Sequence, residues 1–379
     1  MNKKMLVNGW LCAIVIVVSL LSGCAGREPI QVGFAGELTG KHADLGVQGR
    51  NGAQLAAETI NAAGGVASHS IELLMRDDLG TPEGAQAADR ELIDAGVVAI
   101  IGHMTSAQTV SALPVTEEAS LVLFSPTAST SDLSGLDDHF FRTAPVNSAE
   151  AHALARHVHR QRSLTRMAVI YDADNATYAQ TYWAAFVEVY HTLGGQVASE
   201  VIFSSAEEPD LAPLVAELHA GDPDRLLVIA SAFDTALIAQ QIRISGWQVS
   251  LFATGWAQTE TLLQNGGQAV EGLEIAVTYD SNSQKPAFLD FRARYQARFG
   301  HTPTFAAAYA YEAMLMLAAA LERTSGQAEG LRQALLETQD FEGLIGTISL
   351  DEYGDVVRSN FLFRIQDGQF VTLAAPEPE

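Results

Sequence analysis

From Pro29 to Tyr279 one unit recurs: a short apolar run, a turn, then a longer stretch with helical spacing. Pro29–Glu37 is followed by Gly49–Ala63, Ser70–Asp77 by Pro82–Ala95, Val97–Gly102 by Ser106–Ala119, and Leu121–Ser125 follows. The beat resumes after residue 147 with helix Ser148–Arg162, strand Met167–Tyr171, helix Tyr178–Leu193 and strand Val197–Phe203. It continues through helix Leu211–Ala220, strand Arg225–Ala230, helix Asp234–Ile244, strand Leu251–Thr254, helix Thr259–Asn265 and strand Leu273–Tyr279. Strands separated by helices pair in parallel, and a run as apolar as Val97–Gly102 needs cover on both faces. The fold class is therefore α/β with doubly wound parallel sheets. About ten strands over roughly 250 residues exceed one ordinary open sheet, so two lobes are expected. The tail differs. Helices Pro286–Phe299, Phe305–Leu321 and Ala328–Thr338 precede short strands at Gly346–Leu350, Asn360–Gln366 and Phe370–Leu373, which read as an antiparallel ribbon.

In open α/β sheets ligands bind beyond the carboxyl ends of the strands, where helix N-termini present unpaired N–H groups. Two such corners are rich in hydroxyls: Gly102-His103-Met104-Thr105-Ser106-Ala107-Gln108-Thr109 and Ser125-Pro126-Thr127-Ala128-Ser129-Thr130. They follow consecutive strands and suit a carboxylate, although plain N-capping explains them equally well. The sequence holds no P-loop, no Gly-x-Gly-x-x-Gly after a strand, no His-Glu-x-x-His and no Gly-x-Ser-x-Gly. A set of Ser106, His103 and Asp78 is the one hydrolase-like combination, and no base is evident for that serine. With 22 Lys and Arg against 45 Asp and Glu, the formal charge of −23 argues against a general nucleic-acid partner, which would need a basic footprint. Cys12 and Cys24 are the two cysteines, so a disulfide-stapled body or a Cys-ligated metal is excluded. No metal and no cofactor are expected.

The N-terminus reads as an address. Lys3 and Lys4 precede the 12-residue apolar run Trp10–Leu21, too short to span a bilayer but suited to a signal peptide. Leu21-Ser22-Gly23-Cys24 then resembles the bacterial lipobox, which implies cleavage after residue 23 and lipid on Cys24. Residues 24–28 would be the tether, placing the protein outside the cytoplasm on a bacterial membrane.

The body resembles the type I periplasmic-binding-protein family, in particular its leucine/isoleucine/valine-binding branch. The residues that carry the resemblance run along the whole body. They are Val32-Gly33-Phe34-Ala35-Gly36-Glu37-Leu38-Thr39-Gly40, Ile60-Asn61-Ala62-Ala63-Gly64-Gly65-Val66, Asp77-Asp78 with Pro82, and Val98-Ala99-Ile100-Ile101-Gly102-His103. Ser125-Pro126, Phe141-Arg142-Thr143, Ala308-Tyr309-Ala310-Tyr311-Glu312-Ala313 and Phe341-Glu342-Gly343 complete the set. The resemblance implies two lobes joined by three crossings, closing around a small solute and docking on an ABC permease. Lobe 1 would be 29–143 plus 279–344 and lobe 2 would be 145–277 plus 345–379, with crossings near Thr143–Pro145, Val277–Tyr279 and Leu344–Thr347. It implies no enzymatic activity. The alternative is a tethered sensor of the same fold that feeds no transporter.

Site residues carry over unevenly. Ser106 matches the family's carboxylate-binding serine. Thr127-Ala128-Ser129 match its Ser-Pro-x-Ala-Thr corner, where the backbone of Thr127 would face an ammonium and the hydroxyl and N–H of Ser129 a carboxylate. Tyr178 resembles the second-lobe tyrosine, and Leu45 the apolar wall. The family's acid for the ammonium falls at Trp256, and its assisting tyrosine near Ser231-Ala232-Phe233. The ligand is thus expected to be an amino acid or a related small carboxylate. Asp234 or Asp280 would replace the lost acid, or Trp256 would hold an ammonium or an aromatic acid through its ring.

Overall fold

The computed structural model describes residues 27–40, 43–160 and 166–374. The signal segment 1–23, Cys24 and the end of the helix expected at Ser148–Arg162 lie outside the described residues. Two parallel sheets dominate. The first contains β1 (Ile30–Gly36), β2 (Ile71–Asp77), β3 (Ile100–Ile101), β4 (Leu123–Ser125) and β5 (Phe140–Arg142), in the order β2-β1-β3-β4-β5. The second contains β6 (Arg166–Asp172), β7 (Gln196–Phe203), β8 (Arg225–Ile229), β9 (Ser250–Ala253) and β10 (Glu274–Val277). It is extended by the antiparallel ribbon β13 (Phe361–Gln366) and β14 (Gln369–Ala374), giving β14-β13-β10-β9-β8-β6-β7. Its five parallel strands repeat the strand order of the first sheet. Each sheet therefore has a topological switch point, at β1/β3 and at β6/β8, where ligand crevices form.

Helices cover both faces of each sheet. In the first lobe α1 (Ala43–Ala62), α9 (Pro286–Phe299) and α10 (Phe305–Arg323) share one core, and α2 (Pro82–Asp94) and α3 (Ser106–Glu118) cover the other face. In the second, α4 (Asn147–Arg160) and α5 (Ala176–Thr192) lie on one face. On the other lie α6 (Leu211–Ala220), α7 (Ala232–Ile244) and α8 (Glu260–Gly266). The sequence of α10 is apolar on nearly every side, and the helix is buried to match. Its one buried acid, Glu312, is paired with Arg358 at 2.6 Å. The backbones of α1 and α10 touch: a Cβ on Gly52 would lie 2.0 Å from the Ala307 carbonyl oxygen.

The chain leaves the first lobe after β5 and returns after β10. The third crossing differs from expectation. Residues Leu344, Ile348, Leu350 and Val356 are buried in the first lobe's core, and β13 starts only at Phe361. The passage is therefore 357–360 rather than 344–347, and the first lobe extends past residue 344. Buried Arg142 is the reason. Its Nε donates to Asp355 Oδ1 at 2.7 Å, and its backbone N–H donates to the Gly354 carbonyl at 3.1 Å. The turn at 353–355 is thereby held in the first lobe. The ribbon is also shorter than expected. β12 (Thr347–Ile348) pairs with β11 (Phe341–Glu342) in a separate two-stranded sheet, while the short helix α11 (Leu331–Leu336) packs in the first core.

Candidate functional site

The two switch points face each other across an open cleft, the kind of place where α/β proteins hold small molecules. Leu45, Ser106, Thr127, Ser129, Tyr178 and Trp256 all line it. Ala128 lies behind the wall, fully buried, with its N–H donated to Ser125 Oγ at 3.0 Å. The remaining candidates sit elsewhere. Asp234 is buried in the first turn of α7 and accepts the Ser231 hydroxyl at 2.7 Å, so it serves the helix start. Asp280 accepts the Asn282 N–H at 3.0 Å within a turn. Phe233 is half-buried beside Asp234 and lines no part of the cleft. None of the three is among the residues that line the cleft.

The hydroxyl-rich corner expected to meet a carboxylate is built around Ser106 at the N-terminus of α3. Its Oγ accepts the backbone N–H groups of Ser129 at 3.2 Å and Thr130 at 3.3 Å. A serine hydroxyl has two acceptor positions and one donor. With both acceptor positions occupied, the O–H is left as a donor on the cleft wall. The N–H of Ser129 is thus engaged by Ser106 rather than aimed at a ligand, and the Thr127 hydroxyl donates to the Met104 carbonyl at 2.5 Å. Ala107 N–H, also in the first turn of α3, donates across the cleft to Asn175 Oδ1 at 3.2 Å.

The opposite wall holds a carboxylate that the sequence did not suggest. Glu150 lies in the first turn of α4 and lines the cleft. Burial pushes its pKa up to about 8, against the backbone N–H groups of Gly255 and Thr278, which favour the ionised form. Gly255 makes the room: a Cβ there would come within 2.6 Å of Glu150 Oε1. One turn back, Asn147 donates its Nδ2 to the Tyr178 carbonyl at 3.1 Å and to Thr181 Oγ1 at 2.9 Å. Its Oδ1 is buried and has no partner; the residue is one of those lining the cleft. A carboxyl group and an orphan acceptor side by side are what a primary ammonium needs. Among the described residues lining the cleft there is no Lys, Arg or His. Trp256 sits in the 3-10 turn Gly255–Ala257, with its ring edge-on to Tyr178 at 5.6 Å between centroids. It forms a wall between the two ends.

The hydrolase-like set does not assemble. His103 Nδ1 lies 2.7 Å from Asp78 Oδ2 and Nε2 lies 3.1 Å from Asp89 Oδ1, all buried. Both ring nitrogens face carboxylates, so neither is available to Ser106. Burial opposes the charge on His103, but Asp89 and Asp78 raise its pKa to about 10.

A family profile described as periplasmic binding protein matches residues 29–369. The chain is 26% identical to "Leu/Ile/Val-binding protein homolog 3" of Brucella melitensis, over 98% of this chain and 100% of that protein. It is 25% identical to the Leu/Ile/Val-binding protein of Escherichia coli K12, over 89% and 93% of the two chains. The crystal structure of a leucine binding protein, LivK, from Thermotoga maritima MSB8 superposes with a TM-score of 0.85 at 25% identity, covering 92% of this chain and 99% of that one. These relatives are named for what they bind, not for a reaction. A two-lobed α/β body with a cleft between matching switch points, matched along its length by such proteins, belongs to the periplasmic binding protein family.

Proposed function

We propose that the chain is an extracytoplasmic solute-binding lipoprotein of an ABC importer, capturing a branched-chain-amino-acid-like ligand between its lobes. The observation that carries the ligand class is the pairing of ends within one cleft. The Ser106 hydroxyl, set as a donor, stands on one wall; Glu150 and the Asn147 Oδ1 stand on the other. An α-amino acid presents a carboxylate and an ammonium to such a pair. The relatives named for leucine, isoleucine and valine support the same class. The tether rests on Leu21-Ser22-Gly23-Cys24.

Calorimetric titration of the purified protein with L-leucine tests the site. Ser106→Ala removes a charge-assisted hydrogen bond, expected to weaken binding at least about tenfold. Unchanged affinity rejects the corner. For the tether, Cys24→Ala is expected to move the protein from the membrane fraction to the soluble fraction. A second reading is an amine-free carboxylate. It is favoured by the burial of Glu150, which keeps its carboxyl protonated at neutral pH and able to donate to a ligand oxygen. Leucine and its deaminated analogue, compared in a thermal-shift assay, separate the two readings. A ligand at about 100 times its Kd adds ~2.7 kcal/mol of stability.

A further inference from the structure

Two N-cap threonines in the first lobe share a backbone conformation but not a hydrogen bond. Thr81 precedes α2 with φ −122° and ψ 150°, and its Oγ1 accepts the Gly84 N–H at 3.0 Å. Thr105 precedes α3 with φ −122° and ψ 156°, yet its side chain caps nothing. Its Oγ1 is buried and has no partner. An N-cap side chain accepts the N–H of the second or third helical residue, and the second residue of α3 is Ala107. That N–H is already taken. It donates at 3.2 Å to the Oδ1 of Asn175, which belongs to the opposite lobe.

Asn175 is released from local duty. It ends the 3-10 turn Ala173–Asn175 directly before α5, and its side chain makes no cap for α5. The turn is capped by Asp172, whose Oδ1 accepts the Asp174 N–H at 3.1 Å. Asn175 is 6% exposed and, like Thr105, is one of the residues lining the cleft. Two residues on, the Thr177 carbonyl accepts the Thr130 hydroxyl of the first lobe at 3.1 Å, so the lobes meet at this rim. Two acceptors therefore compete for one donor. With the lobes together one acceptor goes without. With the lobes apart the Ala107 N–H loses Asn175, and a rotation about χ1 lets Thr105 take it as Thr81 takes its own.

We propose that Thr105 and Asn175 are rival caps for α3 and that their rivalry sets how tightly the cleft holds its ligand. Closing hands the Ala107 N–H from Thr105 to Asn175 and strands the Thr105 Oγ1, and a buried acceptor without a donor costs free energy. Part of the ligand's contact energy is spent on that exchange, which lowers affinity and favours release. The proposal rests on reading the cleft as the ligand site and deepens that reading; Thr105 and Asn175 act as positioning residues.

Thr105→Val removes one rival and keeps its shape. In calorimetric titrations it is expected to bind L-leucine at least about threefold more tightly than the native protein. Asn175→Ala is expected to cost at least about fivefold more affinity in the Thr105→Val background than in the native one, because only there is the N–H left without an acceptor. Unchanged or weaker binding by Thr105→Val overturns the proposal. So does an equal cost of Asn175→Ala in both backgrounds, the result for an Asn175 that simply touches the ligand. Hydrogen exchange at the Ala107 amide, followed by NMR in the ligand-free protein, decides without any ligand. Asn175→Ala is expected to keep that amide protected through Thr105, and Asn175→Ala with Thr105→Val to exchange at least about tenfold faster. Equal exchange in the two overturns the proposal. If L-leucine fails to bind the native protein, the amino-acid reading falls and the exchange rates alone decide between the rival caps and a passive contact.

Discussion

At the scale of single residues, the proposed amino-acid ligand sets its ammonium against Glu150. The Glu150 carboxyl is held mostly neutral below pH 8 by burial, whereas an ammonium ligand requires it ionised. Binding an ammonium therefore releases a proton at neutral pH. Affinity for an amine-bearing ligand should rise by up to about tenfold per pH unit from 6 to 8 and level off above. Glu150→Gln should remove that slope, and titrations across pH check it; a slope retained in the variant assigns the proton to another group. The empty protein behaves in the opposite sense. Its carboxyl pKa is raised above the unfolded value, so the protonated form favours the fold. This contribution is full below about pH 4.5 and is lost as pH rises through 8. The placement of Ser106, Thr127 and Ser129 on the cleft wall was legible because their segments follow strand ends. Glu150 was not. Asn147-x-x-Glu150 at a helix start reads as capping, and only the packing of Gly255 and Thr278 against that turn buries the acid. Asp234 misled for the same reason in reverse: an acid beside a strand end was doing the local work of a helix start.

Among the elements, the α1–α10 contact is tightly constrained. Adding a methyl at Gly52 drives a Cβ into the Ala307 carbonyl, a backbone atom that cannot yield by a rotamer change. Gly52→Ala should cost at least the ~1–3 kcal/mol typical of overpacking, read as a lower midpoint in urea unfolding. An unchanged midpoint would show that the helices separate freely. Most strands and helices were legible because each apolar run ends at a turn and each helix has its own spacing, as at Pro82–Asp94 with Thr81 before it and Gly96 behind. The end of the first lobe was not legible. Residues 347–366 offer a series of short strands with turns, and nothing local says that the turn at 353–355 answers to Arg142, more than two hundred residues earlier. Long-range charge pairing chose the sheet that each short strand joined.

Across the whole molecule, function depends on how the lobes are joined. Arg358 lies in the third crossing and ties it to the first: its Nε donates to the Thr143 carbonyl at 2.7 Å. Its Nη2 meets Glu312 on α10 at 2.6 Å, and its guanidinium lies 4.4 Å from the Tyr309 ring centroid, beside the cleft. All these groups are buried, so the pair behaves asymmetrically. Arg358→Met leaves the Glu312 charge in the core with the Leu344 N–H as a hydrogen-bond donor but no cation. Breaking one partner of a buried pair costs about 3–5 kcal/mol. Replacing both, as Arg358→Met with Glu312→Met, should recover most of that loss, since two apolar side chains of similar volume need no compensation. Urea unfolding of the single and double variants measures the difference; equal stability of the two would show that Glu312 is not stranded in the single variant. Closure is a separate quantity. A ligand that touches Ser106 on one lobe and Trp256 on the other favours the closed arrangement by its differential contacts. Small-angle scattering should show the radius of gyration fall on adding ligand to the native protein. If the apolar double variant is as stable as the native protein yet contracts less, the Arg358 stitch couples the crossings. If it contracts equally, the stitch serves the fold alone.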